Sequence, residues 1–326
     1  MPLLDEFGQG LDFGDYVVAV LPVTGGIAFA LADGRVAMGA AAPVVVHDGG
    51  LLSASAYDGA VVSGGEDGLV RLTRTDGDSQ TLADFAGRWV EQLTAHPQAG
   101  IAAATAKTAH IVKPGQGVVR SFANPATVQS LAFDPKGKRL ACAHYNGVSL
   151  WWTNSQAQTP AILEWKGAHM LVTWSPDGRF IVTAMQENAL HGWRLDDKSD
   201  MRMGGYPAKT KSFDWAGKGR WLATSGAQSV ICWPFADKSG PMGKSGLELP
   251  GTGGLTTVVA AHPKSPFVAA GFSDGAVMMF RLDDEAELLV AAPADAPVSA
   301  LAFSGDGNQL GFGREDGSAG LLALPA

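Results

Sequence analysis

Cysteine and charge are both scarce in this sequence. The two cysteines, Cys142 and Cys232, each lie inside an apolar run with no second cysteine nearby. This excludes a disulfide framework and a CxxC metal site, and it predicts two small buried side chains in a reducing compartment. Charged residues make up 17% of the chain, and the net charge is −8. Without clustered Lys and Arg, we expect no nucleic-acid partner.

Long hydrophobic runs and recognised catalytic motifs are also missing. No apolar run approaches the ~20 residues that a membrane-spanning helix needs. The N-terminus, MPLLDEFGQGLDF, carries acids where a secretory signal needs basic residues. No HExxH motif is present, and the Gly243-Lys244-Ser245 stretch has Lys238 where a phosphate-binding loop needs glycine. We therefore expect a cytoplasmic protein with no membrane partner, no cofactor and no catalytic residues.

Glycine is abundant, and it recurs in a repeated pattern. The chain has 42 glycines in 326 residues, well above the usual ~7%, which indicates many turns. An apolar strand, a turn with Asp, Asn or Gln near Gly or Ala, and a second apolar strand form a β-hairpin signal. The clearest copies are VVSGGEDGLVRL (61–72), RLACAHYNGVSLWW (139–152), FVAAGFSDGAVMMF (267–280) and QLGFGREDGSAGLL (309–322).

Each hairpin belongs to a larger unit of four short strands. A strand and a turn rich in Pro, Asp and Gly precede it, as in VQSLAFDPKG (128–137), and a more variable strand completes the unit. A strand-rich repeat of about 40 residues predicts an all-β propeller of four-stranded antiparallel blades. We expect one domain over residues 1–326, with eight blades, or seven if the first set is not a blade. Residues Leu11–Gly14 are expected to supply the outer strand of the last blade, so that no edge stays open. The expected inner strands begin near Val17, Leu51, Trp89, Thr127, Met170, Lys211, Leu255 and Val298.

These residues resemble the WD40 family along nearly the whole chain. The marks of the resemblance are the turn Ser175–Gly178, the Asp-Gly turns, and a Trp near the end of the third strand at Trp151, Trp193 and Trp233. His47 resembles the His of the family's Gly-His pair, although Val46 precedes it. The Asp of the Trp-Asp dipeptide is missing, and the family's Asp–His–Ser/Thr–Trp hydrogen-bond set looks incomplete. The resemblance implies a monomeric interaction scaffold, with the Trp side chains packed between blades.

In a WD40-like propeller, loops of two kinds share one rim, conventionally the top. Those are the turns between the second and third strands of a blade and the loops that lead to the next blade. One sector of this rim carries residue types that the repeat does not require, and aromatic side chains beside charged ones are typical of binding hot spots. We predict that this sector binds a partner protein or peptide. Its residues are His144, Tyr145, Asn146, Trp165, Lys166, His169, Gln186, Glu187, Asn188, Tyr206 and Lys209.

Three other interpretations of these residues stay open. In the first, the rim residues are ordinary solvated loop residues, and a neighbouring strand satisfies the hydrogen-bonding groups of His144. The second is a metal-homeostasis accessory protein that binds a divalent metal such as zinc, because His144, His169 and Glu187 come from adjacent blades. The third is a hydrolase whose site lies in a central channel. His96 and His262, each in a His-Pro turn, are expected to be turn residues.

Overall fold

Nearly all the regular secondary structure of the described chain is β-strand. A computed structural model describes residues 1–155 and 159–324. One short helix precedes the first strand, and a single 3₁₀ turn occupies Gly217–Gly219. The first elements are α1 (Leu3–Phe7), β1 (Gly8–Asp12), β2 (Val17–Val23), β3 (Gly26–Leu31), β4 (Arg35–Met38), β5 (Val44–Val45), β6 (Leu51–Tyr57), β7 (Ala60–Gly65), β8 (Leu69–Thr73), β9 (Ser79–Asp84) and β10 (Gln92–His96). The next are β11 (Gly100–Thr105), β12 (Thr108–Lys113), β13 (Gly117–Ala123), β14 (Ser130–Phe133), β15 (Arg139–Trp152), β16 (Ala161–Trp174), β17 (Phe180–Met185), β18 (Leu190–Arg194), β19 (Asp200–Met203) and β20 (Phe213–Ala216). The last are β21 (Trp221–Thr224), β22 (Ser229–Pro234), β23 (Leu247–Pro250), β24 (Thr256–Ala261), β25 (Phe267–Phe272), β26 (Val277–Arg281), β27 (Glu287–Ala291), β28 (Val298–Phe303), β29 (Gln309–Arg314) and β30 (Ser318–Ala323).

Hydrogen bonds join these strands into seven sheets, in the manner of a β-propeller. One sheet has six strands in the order β14-β15-β16-β17-β18-β19, and every other sheet has four. Neighbouring strands run antiparallel, as in the β6–β7 pair, where Leu51 lies opposite Gly65. The four-stranded sheets are β1-β30-β29-β28, β2-β3-β4-β5, β6-β7-β8-β9, β10-β11-β12-β13, β20-β21-β22-β23 and β24-β25-β26-β27.

The expectation of eight blades is wrong. Counting each hydrogen-bonded sheet as one blade, the propeller has seven blades. The sequence predicts separate blades beginning near Thr127 and Met170, with turns between their strands. Instead β15 and β16 are each 14 residues long and include those positions, so that the turn at Tyr145–Gly147 lies within β15. The first half of β16 pairs with β15 and its second half with β17, which joins the two predicted blades into one sheet.

The chain divides into two compact units. The first comprises Met1–Val44 and Tyr206–Ala326, and the second comprises Val45–Gly205. In the first unit, β1 supplies the outer strand of the sheet that ends the chain, pairing with β30 so that Gly8 lies opposite Leu322. The pairing involves Gly8–Asp12, a few residues before the segment expected from the sequence.

The core of the second unit lies along the second strands of its sheets. All six residues of β7, β11 and β17 are buried, because each of these strands is covered on both faces. A Cβ placed on Gly64 would stand 2.5 Å from Cγ1 of Val90, the residue that leads into the next sheet. Glycine in this chain therefore serves close sheet packing as well as turns.

Tryptophan fills the space between strands of successive sheets. Trp151 is 4% exposed and stacks on Phe122 of the preceding sheet, with ring centroids 5.0 Å apart. Its indole N–H donates to the Asn124 side-chain oxygen at 3.0 Å, which satisfies the buried polar atom. Trp152, the next residue, points the other way along the strand and is 52% exposed.

Hydroxyl groups on the inner strands link successive sheets. Each donates to a backbone carbonyl of the next sheet or of the segment leading into it. These donations satisfy the hydroxyls and stabilise the packing of one sheet on the next. The pairs are Ser53 to Val90 at 2.9 Å, Ser212 to Val259 at 3.3 Å, Thr257 to Val298 at 2.6 Å and Ser299 to Val17 at 2.7 Å.

Candidate functional site

The turn at Tyr145–Gly147 shapes the candidate site. Asn146 and Gly147 have φ values of 69° and 143°, which places both in the region that favours glycine. A Cβ on Gly147 would lie 2.2 Å from the carbonyl oxygen of Leu163 on the neighbouring strand. The backbone of β15 therefore approaches β16 more closely than a side chain at this position would permit. Tyr145, at the start of the turn, is 56% exposed.

A bulge in β16 faces this turn. Tyr145 pairs with Ala168, whereas Gly147 pairs with Glu164, so the segment 165–167 has no partner across the strand pair. The extra residues push the β16 backbone outward, as bulges do, and re-aim their side chains. Trp165 and Lys166 are exposed as a result.

An open groove runs along this turn and bulge. Its volume is about 1160 Å³, and we call it the aromatic groove. Tyr145 and Trp165 are its large aromatic side chains, and all its lining residues belong to the second unit. The lining residues are Ala123, Asn124, Pro125, Ala126, His144, Tyr145, Asn146, Ile162, Glu164, Trp165 and Lys166.

Trp165 rests on a buried histidine. The Trp165 and His191 rings stack with centroids 3.9 Å apart and an interplanar angle of 19°. His191 is completely buried, and Trp193 meets it edge-on at 4.6 Å. Burial lowers the pKa of His191 to about 4, although Asp200, 4.0 Å away, opposes the shift. His191 is therefore neutral at pH 7 and gives the indole a flat support.

His191 is also the least satisfied polar side chain near the site. Within residues 1–155 and 159–324, neither of its ring nitrogens has a hydrogen-bond partner. A buried group in this condition costs about 1–3 kcal/mol relative to a satisfied one. The His191 ring supports Trp165: it covers one face of the indole and leaves the rest of the indole at the groove.

His144 is a structural residue. It is 1% exposed. Its Nδ1–H donates to the carbonyl oxygen of Tyr145 at 2.9 Å, and Nε2 accepts from the hydroxyl of Ser149 at 2.8 Å. Burial lowers the pKa of His144, while the bond to the Tyr145 carbonyl opposes the shift. Both partners of His144 lie on β15 itself, and its contact with a binding partner stays a prediction.

His169 is buried in the same manner. Its Nε2–H donates to the carbonyl oxygen of Trp165 at 3.0 Å, and Nδ1 accepts from the hydroxyl of Thr183 at 2.7 Å. Burial lowers the pKa of His169, and the bond to Trp165 and the charge of Glu187 oppose it. His169 thus holds the backbone of the bulge in place and is buried, and its contact with a partner stays a prediction.

The turn between β17 and β18 lies against the bulge. The Gln186 N–H donates to the carbonyl oxygen of Ala168 at 3.0 Å. Gln186 and Glu187 are exposed, and Asn188 is half-buried with φ of 52°. The structure therefore brings this turn next to the bulge, as expected for neighbouring loops of one rim.

A metal site built from His144, His169 and Glu187 is not found. Within residues 1–155 and 159–324, no group of three or more His, Cys, Asp or Glu side chains could hold a metal ion. All four ring nitrogens of the two histidines already have partners in the protein. The predicted convergence fails because both imidazoles turn into their own sheets.

Tyr206 and Lys209 belong to the first unit. Tyr206 is 7% exposed, its hydroxyl bonds Thr224 at 2.7 Å, and it accepts the indole N–H of Trp233 at 2.6 Å. Burial raises its pKa to about 12. The Tyr206 side chain is therefore committed to contacts within the protein, whereas Lys209 is exposed.

A Ser–His–Asp chain that the sequence pattern did not predict lies beside β7. His47 Nδ1 contacts the Asp67 carboxylate at 3.0 Å, and Nε2 bonds the Ser63 hydroxyl at 2.8 Å. Ser63 is fully buried, so no substrate carbonyl could reach its hydroxyl. These three side chains resemble a catalytic triad in composition only, and their hydrogen bonds stabilise the turn around Asp67.

The first unit has a smaller cavity along its inner strands, of about 360 Å³. Thr257 and Ser299, which line it, both donate to backbone carbonyls. No histidine stands among the described residues that line it. Its titratable lining residues are Tyr16, Lys211 and Glu315.

Two residues of the site could not be found from sequence patterns. Glu164 lines the groove but lies on a strand whose pattern carries no functional signal. The position of His191 on a strand predicts packing within its blade. Its stacking under Trp165 follows from the bulge, which no local pattern predicts. His47 and the Asp67-Gly68 turn could be found from the sequence, since both resemble positions of the WD40 repeat.

The strands, sheets and groove together define an all-β propeller. The crystal structure of the computationally designed Ika8 protein is similar to this chain, with a TM-score of 0.76 and 17% sequence identity over 96% of this chain and 98% of that one. This likeness concerns the fold alone. No protein-family model matches the sequence, and no curated protein matches it. In the described part of the chain, no helix is long and apolar enough to cross a membrane.

Proposed function

We propose that the protein is a WD40-like, non-catalytic scaffold that binds a partner protein or peptide through the aromatic groove. The observation that carries the proposal is the pair of exposed aromatic side chains, Tyr145 and Trp165, placed in one groove by a tight turn and a bulge. The open groove, of about 1160 Å³, has room for a side chain of a partner and for part of the segment that carries it.

The groove residues are held in place before any partner arrives. Trp165 is fixed from below by His191, and its carbonyl is fixed by His169. The Asn146 side-chain oxygen accepts the Gly167 N–H at 3.2 Å, which ties the turn to the bulge. Binding therefore orders few new side chains, and each rotamer that is already fixed saves about 0.5–1.5 kcal/mol.

Buried histidines support a binding role more than a catalytic one. A general base must reach a substrate proton, and His144 and His169 direct their ring nitrogens to protein atoms instead. Their lowered pKa values keep them neutral, which suits hydrogen-bonded structural residues. We further propose a cytoplasmic monomer, since both cysteines are buried and unpaired.

A pull-down comparison tests the proposal. The Tyr145→Ala/Trp165→Ala double variant is expected to lose at least one protein that the wild type recovers, because aromatic anchors dominate binding energy. Trp152→Ala is the matched control, since it removes an exposed indole from the other end of β15. Equal recovery of every partner by the wild type and the double variant would rule out the groove as the binding surface.

A further inference from the structure

The aromatic groove carries two charged side chains without partners. Glu164 and Lys166 are both exposed, and they lie two residues apart on β16. Within residues 1–155 and 159–324, neither forms an ion pair or a hydrogen bond through its side chain. Both residues line the groove, on either side of Trp165 in the chain. Each is therefore free to pair with a charge supplied by a partner.

We propose that the groove takes an arginine or lysine side chain from an extended segment of the partner, with its cation over Trp165 and Tyr145 and paired with Glu164. The inference deepens the proposed function and rests on it. It commits to a basic partner segment, and an acidic or uncharged segment becomes an outcome of the test.

Aromatic faces favour a cation over an anion. The negative face of an indole or phenol ring attracts ammonium and guanidinium groups by about 0.5–1 kcal/mol at exposed sites, and more when water is excluded. One face of Trp165 is covered by His191 at 3.9 Å, so its exposed part is the opposite face and the edges. An anionic side chain in the same place would meet the repulsive face of the ring.

Charge complementarity points the same way. The Glu164 carboxylate would form a charge-assisted hydrogen bond with an incoming guanidinium, in a fork geometry that arginine presents. The net charge of −8 also raises the rate at which basic segments meet the surface. Lys166 is the opposing charge, and its flexible four-carbon stem lets the ammonium turn away from a bound cation.

The walls of the groove suit the stem of a basic side chain. Ile162, Ala126 and Pro125 offer apolar surface next to Glu164. Lysine and arginine bury their methylene groups along such a surface and keep the charged end near polar groups. The remaining volume accommodates neighbouring residues of an extended segment.

Fluorescence anisotropy with defined peptides tests the inference. The probes are three fluorescein-labelled twelve-residue peptides, four repeats each of Gly-Ser-Arg, Gly-Ser-Glu and Gly-Ser-Gln. We expect the arginine peptide to bind at least tenfold more tightly than the other two. Glu164→Lys should weaken its binding at least tenfold, and Lys166→Glu should tighten it at least threefold. Glu248→Lys, the same charge change at an exposed site in the first unit, should change it less than threefold and so control for net charge.

The outcomes separate this inference from the proposed function. Tighter binding of the glutamate or glutamine peptide overturns the basic-partner inference, as does an arginine peptide whose affinity responds equally to Glu164→Lys and Glu248→Lys. If the arginine peptide fails to bind while the double aromatic variant still loses a partner in the pull-down, the groove function stands and its basic specificity falls. If the peptide binds with the expected charge dependence but the pull-down shows no loss, the proposed cellular role falls.

Discussion

Two turns of the second unit join equivalent strands in different ways. At Glu66–Gly68, the Asp67 carboxylate faces inward, where it meets His47 and accepts the backbone N–H groups of Asp48 and Leu69. At Tyr145–Gly147, no carboxylate takes that role, and the turn is held by the backbone approach of Gly147 to β16. The first turn is held by the half-buried Asp67 carboxylate, whereas the second is held by close backbone packing and one Asn146 bond, and it leaves Tyr145 exposed.

The difference extends to the buried histidines. His47 is satisfied at both ring nitrogens, by Asp67 and by Ser63. His191, in the six-stranded sheet, has no hydrogen-bond partner among the described residues and stacks under Trp165 instead. His47 thus stabilises the fold through hydrogen bonds, whereas His191 lacks them and supports an exposed aromatic side chain.

The largest effect is expected from Gly147→Ala. The new Cβ would lie 2.2 Å from the Leu163 carbonyl oxygen at a φ of 143°, so β15 and β16 must separate. We expect a loss of about 3–5 kcal/mol in the free energy of unfolding, measured by urea denaturation. Gly204→Ala, with nothing within 4 Å of the new Cβ, should change it by less than about 1 kcal/mol. Similar stabilities for the two variants would show that the close approach of the strands is not required.

Asp67→Ala should have the next largest effect. It leaves His47 and two backbone N–H groups without their acceptor, and we expect a loss of about 2–4 kcal/mol in unfolding free energy at pH 7. Asn146→Ala, which removes one hydrogen bond from the other turn, should cost about 1 kcal/mol. Equal losses would mean that the two turns are held in the same way.

The Asp67 effect should also depend on pH. Burial alone would raise the pKa of Asp67, but the hydrogen bonds from Leu69 and His47 outweigh it and lower the pKa below 3.8. An acid with a lowered pKa stabilises the fold above its unfolded pKa and loses that contribution as pH falls through the folded value. The difference between the wild type and Asp67→Ala should therefore shrink in urea titrations performed below about pH 4.

The smallest effect, with the opposite sign, is expected from His191→Phe. Phenylalanine keeps the ring under Trp165 and removes two unsatisfied nitrogens, which should stabilise the fold by about 1–2 kcal/mol at pH 7.5. The folded pKa of His191 is about 4, against 6.5 ordinarily. A base whose pKa is lowered in the folded state destabilises the fold as pH falls from its unfolded pKa to its folded pKa. For His191 the loss is about 2 kcal/mol of unfolding free energy at pH 5.

The advantage of His191→Phe should therefore grow between pH 7.5 and pH 5 when urea midpoints are compared. A variant that is less stable than the wild type at both pH values would show that the His191 nitrogens make favourable interactions.

Much of the fold could be predicted from the sequence, because it depends on local patterns. Alternating apolar residues and Asp-Gly turns predict the hairpins, and the spacing of about 40 residues predicts the four-stranded units. The blade count could not be predicted, because it depends on whether β15 and β16 continue through their turns. The candidate site was predicted in part. Tyr145, Trp165 and Lys166 are exposed as expected, whereas His144, His169 and Tyr206 are buried.

The sequence by itself determined the strand periodicity, the turn residues and the order in which strands pair, since these depend on side-chain alternation and on backbone preferences within a few residues. Tertiary structure alone decided which polar side chains face solvent and which turn into a sheet. That choice depends on the bulge opposite Tyr145, on the space beneath Trp165 and on the acceptors within reach of each imidazole. Such contacts join residues distant in the chain, and a hydrogen-bond partner is selected by proximity in space.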